Sequence, residues 1–377
     1  MIETDTIQDE GVFAALAGEW DALVRAAPRP SPFLLHGWLL AWWRHRGGRA
    51  ALRVHVARRD GRLVGALPLY VRSARGVRVA RFVGDETAAL ADLLLGPGAG
   101  TDVAARLVDR ARGGDHDYAD LFGLPGSSRL GASVAPDGLT LVPRVEAPVL
   151  DLDGAGWEAV YRARTSAKRR SLHRRRRRQL SALGRVEVVT ARALDELEPA
   201  LEDAFRLHAA RWEDRPEASG FHTPAGRAFH RAALRALAPA GVPRIVLLRL
   251  DGRAIACNYS LRLGDRMYFH ELAFDPAFAQ YSPGLVTTLE TIGAAATDGV
   301  RRVEFLGGAE RYKLELADRC EPLYQGLGLA GTWRGRALVP LRAEAVRTRL
   351  RLKDTRVRAF YYDGLAPVRR AARRLRA

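Results

Sequence analysis

The sequence predicts an α/β (α+β) chain of two tandem domains, each a mixed, mostly antiparallel central sheet flanked by helices. Three observations carry this. A strand–turn–strand pattern occurs twice, RVHVARRDGRLVGALPLY over Arg53–Tyr70 and RIVLLRLDGRAIACNYSL over Arg244–Leu261, 191 positions apart. The surroundings of the copies agree: a helical segment ending near Trp20 or Trp212, a Pro-bearing loop, Phe33 or Phe221, then another helix. The length of 377 residues also corresponds to about two ordinary domains.

Each copy turns on Asp-Gly-Arg, at Asp60-Gly61-Arg62 and Asp251-Gly252-Arg253. Asp-Gly between two β-rich runs marks a tight hairpin, because Gly supplies the positive φ such turns require. The first domain, residues 1–150, then reads as a helix near Val12–Ala26, an aromatic helix Phe33–Arg44, the hairpin, and a strand at Val77–Val83. An acidic segment Asp85–Leu95, a helix Thr101–Arg112 and a strand Ala119–Phe122 complete it. The second, residues 151–340, opens with Trp157 and a basic helix. Strand Arg185–Thr190 and helices Leu194–Trp212 and Pro224–Ala238 precede its hairpin. Strand Met267–Phe274, helix Gly284–Asp298, strand Arg301–Leu306 and a β region to Trp333 follow. Residues 341–377 form a basic tail.

With 47% apolar residues the chain can bury two cores, which excludes a disordered class. Cys257 and Cys320 are the two cysteines, too few for a disulfide framework or a zinc-type cluster, so no metal site is expected. The acidic start MIETDTIQDEG shows no signal peptide, and the apolar run Phe33–Trp43 is far short of the ~20 residues that span a bilayer. A cytoplasmic protein is the expectation. The net charge of +17 is concentrated in Arg162–Gly184, with ten Lys/Arg and no acid, and in Arg342–Ala377, with twelve Lys/Arg against three acids. Such clusters attract polyanions or the anionic inner face of a membrane, or they are solvated helix faces. Tyr161, Leu172, Leu180 and Leu183 are spaced to form the apolar side of the first cluster. In the second, Phe360, Tyr361 and Tyr362 lie among the Arg residues and fit a membrane-surface helix.

Chemistry is expected in Met267–Leu306. Ser282-Pro283-Gly284 opens a helix after a strand: Ser suits the N-cap, Pro the first turn, and Gly lets a ligand approach. Free amides and the helix dipole there make an anion site, although the same residues also serve simply as a helix start.

In this order, hairpin, strand, Pro-Gly-initiated helix and strand resemble the second half of a GNAT fold. More closely, Phe33–Trp43, Asp60–Tyr70, Ser166–Leu183, Phe274–Leu289 and Gly299–Glu321 resemble double-GNAT proteins of the CelD/BcsL cellulose-biosynthesis acetyltransferase type, related to the FemABX peptidyltransferases. The resemblance implies an acyltransferase; the first domain lacks a matching Pro-Gly turn after its strand and reads as a degenerate copy that either shapes the acceptor cleft, with Asp92 among its carboxylates, or is structural only. It implies that Gln280, Tyr281, Ser282, Pro283, Gly284 and Leu285 hold the pyrophosphate of acetyl-CoA or another acyl-CoA. The family pattern Gln/Arg-x-x-Gly-x-Gly/Ala reads here as Tyr281-x-x-Gly284-x-Val286. FemABX proteins instead take an aminoacyl group from tRNA, and their aromatic-Lys pair resembles Tyr312-Lys313.

Acyl transfer needs a base, oxyanion stabilisation and a proton for the leaving group. Base candidates are His270, Glu271 and Glu304. Adjacent strand residues face opposite ways, so at most one of His270 and Glu271 is expected to face a given cleft, and the comparison favours Glu271. Tyr312 is the expected acid and Lys313 the expected oxyanion or phosphate partner. Three functions follow: an acyl-CoA-dependent transferase acting on a sugar, polysaccharide precursor or small amine; an aminoacyl-tRNA-dependent transferase using the Arg-rich helix for RNA phosphates; or a non-catalytic binder of anionic polymer or membrane.

Overall fold

A computed structural model describes residues 1–354 apart from 86, 88, 135–137, 153, 155, 213–220, 222 and 309. Most of the basic tail, with Phe360, Tyr361 and Tyr362, lies outside the described residues.

The first half contains β1 (Ile2–Ile7), α1 (Glu10–Ala14), α2 (Ala17–Arg25), α3 (His36–Arg46), β2 (Ala51–Arg59), β3 (Arg62–Ala74), β4 (Val77–Phe82) and β5 (Leu94–Leu95). It ends with α4 (Thr101–Arg112), β6 (Tyr118–Pro125), α5 (Arg129–Ser133) and β7 (Leu139–Asp151). Two helices, α6 (Trp157–Arg164) and α7 (Ala167–Ser181), connect the halves. The second half repeats the order: β8 (Val186–Ala191), α8 (Leu194–Trp212), α9 (Pro224–Leu237), β9 (Pro243–Leu250), β10 (Arg253–Leu263), β11 (Arg266–Phe274), α10 (Pro283–Thr297), β12 (Arg302–Glu304), α11 (Arg311–Leu316) and β13 (Arg319–Gly328). A last helix, α12 (Trp333–Asp354), follows.

Both hairpins turn as their sequence demands. Asp60 and Gly61 have φ of 51° and 77°, Asp251 and Gly252 49° and 83°, so both central residues of each turn are left-handed. Arg59 pairs with Arg62 and Leu250 with Arg253, which makes each loop two residues long.

The strands join in one sheet, ordered β1-β2-β3-β4-β6-β13-β7-β12-β11-β10-β9-β8, with β5 paired off this path to β3. Read from either end, the order is the same: four antiparallel strands, a parallel neighbour, then a strand from the other half. β6 lies parallel to β4 and takes β13 on its far side, while β12 lies parallel to β11 and takes β7. β7 and β13 pair antiparallel at the centre. Each half therefore completes its sheet with the final strand of the other.

The equivalent helices α3 and α9 pack together across this centre. Trp38 meets Phe229 edge to face at 4.9 Å. Gly37 permits the approach, since a Cβ there would come within 2.8 Å of the Ala236 Cβ. The aromatic helix starts at His36, three residues later than its composition indicates. Asp21 accepts the His36 N–H at 2.8 Å, and Leu35 is extended, so the chain enters the helix only there.

The basic segment differs from its sequence reading. It is two helices, broken at Thr165, whose φ and ψ are −121° and 135°. Ser166 caps α7 by accepting the Arg169 N–H. The apolar side expected from Tyr161, Leu172, Leu180 and Leu183 does not form: Leu180 and His173 are buried, whereas Leu172 is 37% and Leu183 45% exposed. The break resets the helical phase after Tyr161, and Leu183 lies beyond the last helical residue.

Candidate active site

The parallel pair β11·β12 is short. It runs from Arg266·Arg302 to Tyr268·Glu304 and stops. Beyond that point β11 continues to Phe274, while Phe305 donates instead to the Pro148 carbonyl of β7. The strands splay, and the turn carrying Gly307, Glu310, Tyr312 and Lys313 lies on the β12 side of the opening.

On the β11 side the register shifts: Tyr259 of β10 opposes Glu271, and the next residue, Ser260, opposes Phe269. His270 is the extra residue of a β-bulge. A bulge interrupts the alternation of a strand, and this one corrects the expectation that His270 and Glu271 face opposite ways. Both lie on the face covered by α8 and α9. His270 packs 5.3 Å from the rings of Trp38, His230 and Tyr259. Glu271 Oε1 lies 3.6 Å from Nε2 of His208, a buried α8 residue whose ring stacks on Phe221. Phe269 faces the other way, against Phe305.

The two neighbours are electrostatically different. Burial pushes the His270 imidazole down to about 4, so the ring is neutral at pH 7, and its buried Nε2 has no hydrogen-bond partner among the described residues. Burial pushes the Glu271 carboxyl up to about 7; Arg211 and Lys313 draw it down and Glu310 raises it. Its side chain is still 22% exposed, so the carboxylate is enclosed yet reachable. A carboxyl of this kind can exchange a proton near neutrality.

Tyr312 and Lys313 belong to the same cluster. Burial raises the Tyr312 phenol, with Glu310 and Glu271 adding to the effect, so it stays protonated. Lys313 is buried and oriented: its Nζ reaches Glu310 Oε2 at 2.9 Å and donates to the Gly307 carbonyl at 3.3 Å. Arg211 donates to the Leu272 carbonyl and lies 4.9 Å over the Phe274 ring. Sequence reading passed over His208 and Arg211. Their one signal is the i, i+3 spacing on α8, which only the packing of that helix on β11 converts into a shared site.

Glu304 stands apart from this cluster. It is fully buried and held by Arg29 at 2.7 Å and Arg266 at 3.1 Å, and Arg29 also reaches Glu321 at 2.7 Å. In the first half, Asp92 is likewise engaged. It accepts from the N–H groups of Leu93, Arg129 and Leu130 and from Ser128 Oγ, at 2.7–3.0 Å, and thereby anchors the start of α5.

The start of α10 departs from the expected phosphate turn. Gln280 and Tyr281 end a short 3-10 helix, and Ser282 is left-handed (φ 55°) with no side-chain cap. The N–H groups of Leu285 and Val286 return to the Ser282 carbonyl at 3.1 and 3.2 Å, and Pro283 has none. Gly284 N–H is the one first-turn amide without a backbone partner among the described residues. Gly284 itself is needed for packing, since a Cβ would lie 3.2 Å from the Phe274 ring. From the other side α7 closes in: Arg176 donates to the Gln280 carbonyl, Arg177 pairs with Glu290, and Leu180 packs with Val286 and Tyr281. A single amide is not a pyrophosphate cradle.

Comparison with known proteins accords with this architecture. Residues 167–314 match the acetyltransferase (GNAT) domain family, a span that includes Glu271, Tyr312 and Lys313. No curated protein matches the chain. Among solved structures it is similar to FemX (11% identity, 86% of this chain and 96% of that one, TM-score 0.58). It is similar to the C-terminal domain of a putative lysylphosphatidylglycerol synthetase from Agrobacterium fabrum (12%, 90% and 97%, 0.57). A third is a conserved protein of unknown function from Bacteroides thetaiotaomicron VPI-5482 (14%, 87% and 100%, 0.57). These likenesses establish the fold over most of the chain, and residues 167–314 carry the likeness to an acetyltransferase (GNAT) domain. Among the described residues no helix is long and apolar enough to cross a membrane.

Proposed function

We propose that the protein transfers an acyl group to an amine or hydroxyl by general-base catalysis, with Glu271 as the base. The observation that carries this is the Glu271 carboxyl, pushed up to about 7 by burial and set between His208 and the Tyr312–Lys313 turn. Glu271 takes the proton from the acceptor nitrogen or oxygen, whose lone pair forms the new bond to the acyl carbon. Charge that develops on the carbonyl oxygen is met by Lys313. As the bond to the leaving group breaks, the Tyr312 phenol supplies its proton. His208 and Arg211 position the base, and His270, neutral and half-buried, supports the bulge that aims it. Glu304 acts structurally, through its two arginines.

The domain match supports an acyl-CoA as donor, acetyl-CoA first, with a sugar, polysaccharide precursor or small amine as acceptor. A second reading, transfer from an aminoacyl-tRNA, is favoured by the start of α10, where one free amide stands in place of a phosphate cradle. In either case the reading places the protein's work on the cytoplasmic side, with RNA or an anionic membrane as the partner of its basic segments. Thermal-shift titration separates the donors: acetyl-CoA raises the melting temperature under the first reading, aminoacyl-tRNA under the second. Glu271→Gln is expected to lower turnover by about 10²–10⁴ with the donor that binds. Undiminished turnover in that variant would remove Glu271 as the base.

A further inference from the structure

Lys168, Ser171, Leu172 and Arg175 recur at i, i+3, i+4 and i+7 on α7 and form one wall of an open cleft of about 620 Å³. Ser166 and Arg169 at the helix start and Arg311 of α11 complete its lining. The charge there is unbalanced. Arg169 and Arg311 share one carboxylate, Glu315, and Lys168 and Arg175 have no ion-pair partner among the described residues. Four cations thus line the cleft with a single carboxylate among their ion-pair partners.

Folding does not ask for this arrangement. Lys168 and Arg169 occupy the first turn of a fifteen-residue helix with no acid in that turn, where the positive end of the dipole disfavours cations. The Leu172 side chain, expected in the core, is spent on the cleft wall. An anion bound in the cleft accounts for both features, because it would pair with the unmatched cations and with the helix dipole together. Arg311 of the cleft lining directly precedes Tyr312 in the chain, the residue assigned above to protonate the leaving group.

We propose that this cleft between α7 and α11, rather than the start of α10, seats the phosphates of the acyl donor's leaving group. The inference rests on the acyltransferase reading given above. Its ligand chemistry is a nucleotide phosphate mono- or diester, which two sources supply: the phosphorylated adenosine of coenzyme A and the CCA end of a tRNA.

The test uses the full chain, with coenzyme A and a CCA-ended RNA oligonucleotide as probes, titrated at two salt concentrations. One probe is expected to bind, and its identity names the source. The pair Lys168→Ala/Arg175→Ala is expected to weaken that binding about tenfold or more and to flatten its salt dependence. Arg62→Ala/Arg106→Ala removes the same charge from exposed positions of the first half and should leave affinity unchanged. All four side chains are exposed, and matched melting temperatures verify that both variants fold. Unchanged affinity in the α7 pair, equal losses in both pairs, or binding of neither probe overturns the proposal. Glu271→Gln keeps the two ideas separable: if transfer persists there while the α7 pair loses binding, the base assignment falls and the phosphate cleft stands.

Discussion

Glu271 is held against its own solvation preference, and this has a cost in stability as well as a use in chemistry. Its carboxyl is raised from an ordinary 4.5 to about 7, so the fold favours the protonated form. Between those values the unfolded chain ionises first, and the folded state loses stability as pH rises, by up to roughly 3 kcal/mol. Catalysis runs the other way, since the base must be ionised. Turnover is therefore expected to climb through about pH 7 and level off above it, a profile read from kcat/KM against pH. Glu271→Gln should melt higher than the parent at pH 8 and equal to it near pH 4. If the two melt alike at pH 8, the carboxyl is not strained by its surroundings. Glu271 was legible in the sequence as a candidate. Its sharing of a face with His270 was not, because alternation is a rule for regular strands and the bulge at His270 breaks it.

At the scale of elements, local chemistry decided where chains turn, and packing decided what the turns present. The Asp-Gly hairpins, α4, α8 and α10 follow directly from turn residues and hydrophobic period. The α10 start does not serve as its composition indicates. Ser282 adopts φ 55° and lends its carbonyl, not its hydroxyl, to the first turn. Gly284 is there because α10 approaches β11 closely. Gly284→Val is accordingly expected to destabilise the protein by about 1–3 kcal/mol in denaturant titrations, through the Phe274 contact. Should it lose donor affinity at full stability, Gly284 would be a ligand contact after all. Asp92→Ala deserves the same treatment in the first half. Removing an acceptor for four donors should cost about 2–4 kcal/mol while leaving donor binding intact, and a selective loss of acceptor KM would instead return Asp92 to the cleft.

At the scale of the molecule, the exchange of β7 and β13 links the two halves. Neither half owns all the strands of its sheet, and the bridge from Arg29 to buried Glu304 and to Glu321 adds a second tie. Calorimetry of the full chain should therefore show one cooperative transition, with van't Hoff and calorimetric enthalpies equal. Two resolved transitions would mean that the halves fold independently despite the exchange.

The sequence by itself determined the two hairpins, the helices α4, α8 and α10, and the concentration of positive charge, and it left β1, β7 and α11 unread. These depend on residues near one another in the chain, whose turn chemistry and periodicity act locally. Only the tertiary structure decided which half each final strand completes, that the basic segment breaks at Thr165 and turns Leu172 outward, and that His208 meets Glu271. Those outcomes depend on surfaces brought together from distant parts of the chain, where burial, not local preference, selects the partner.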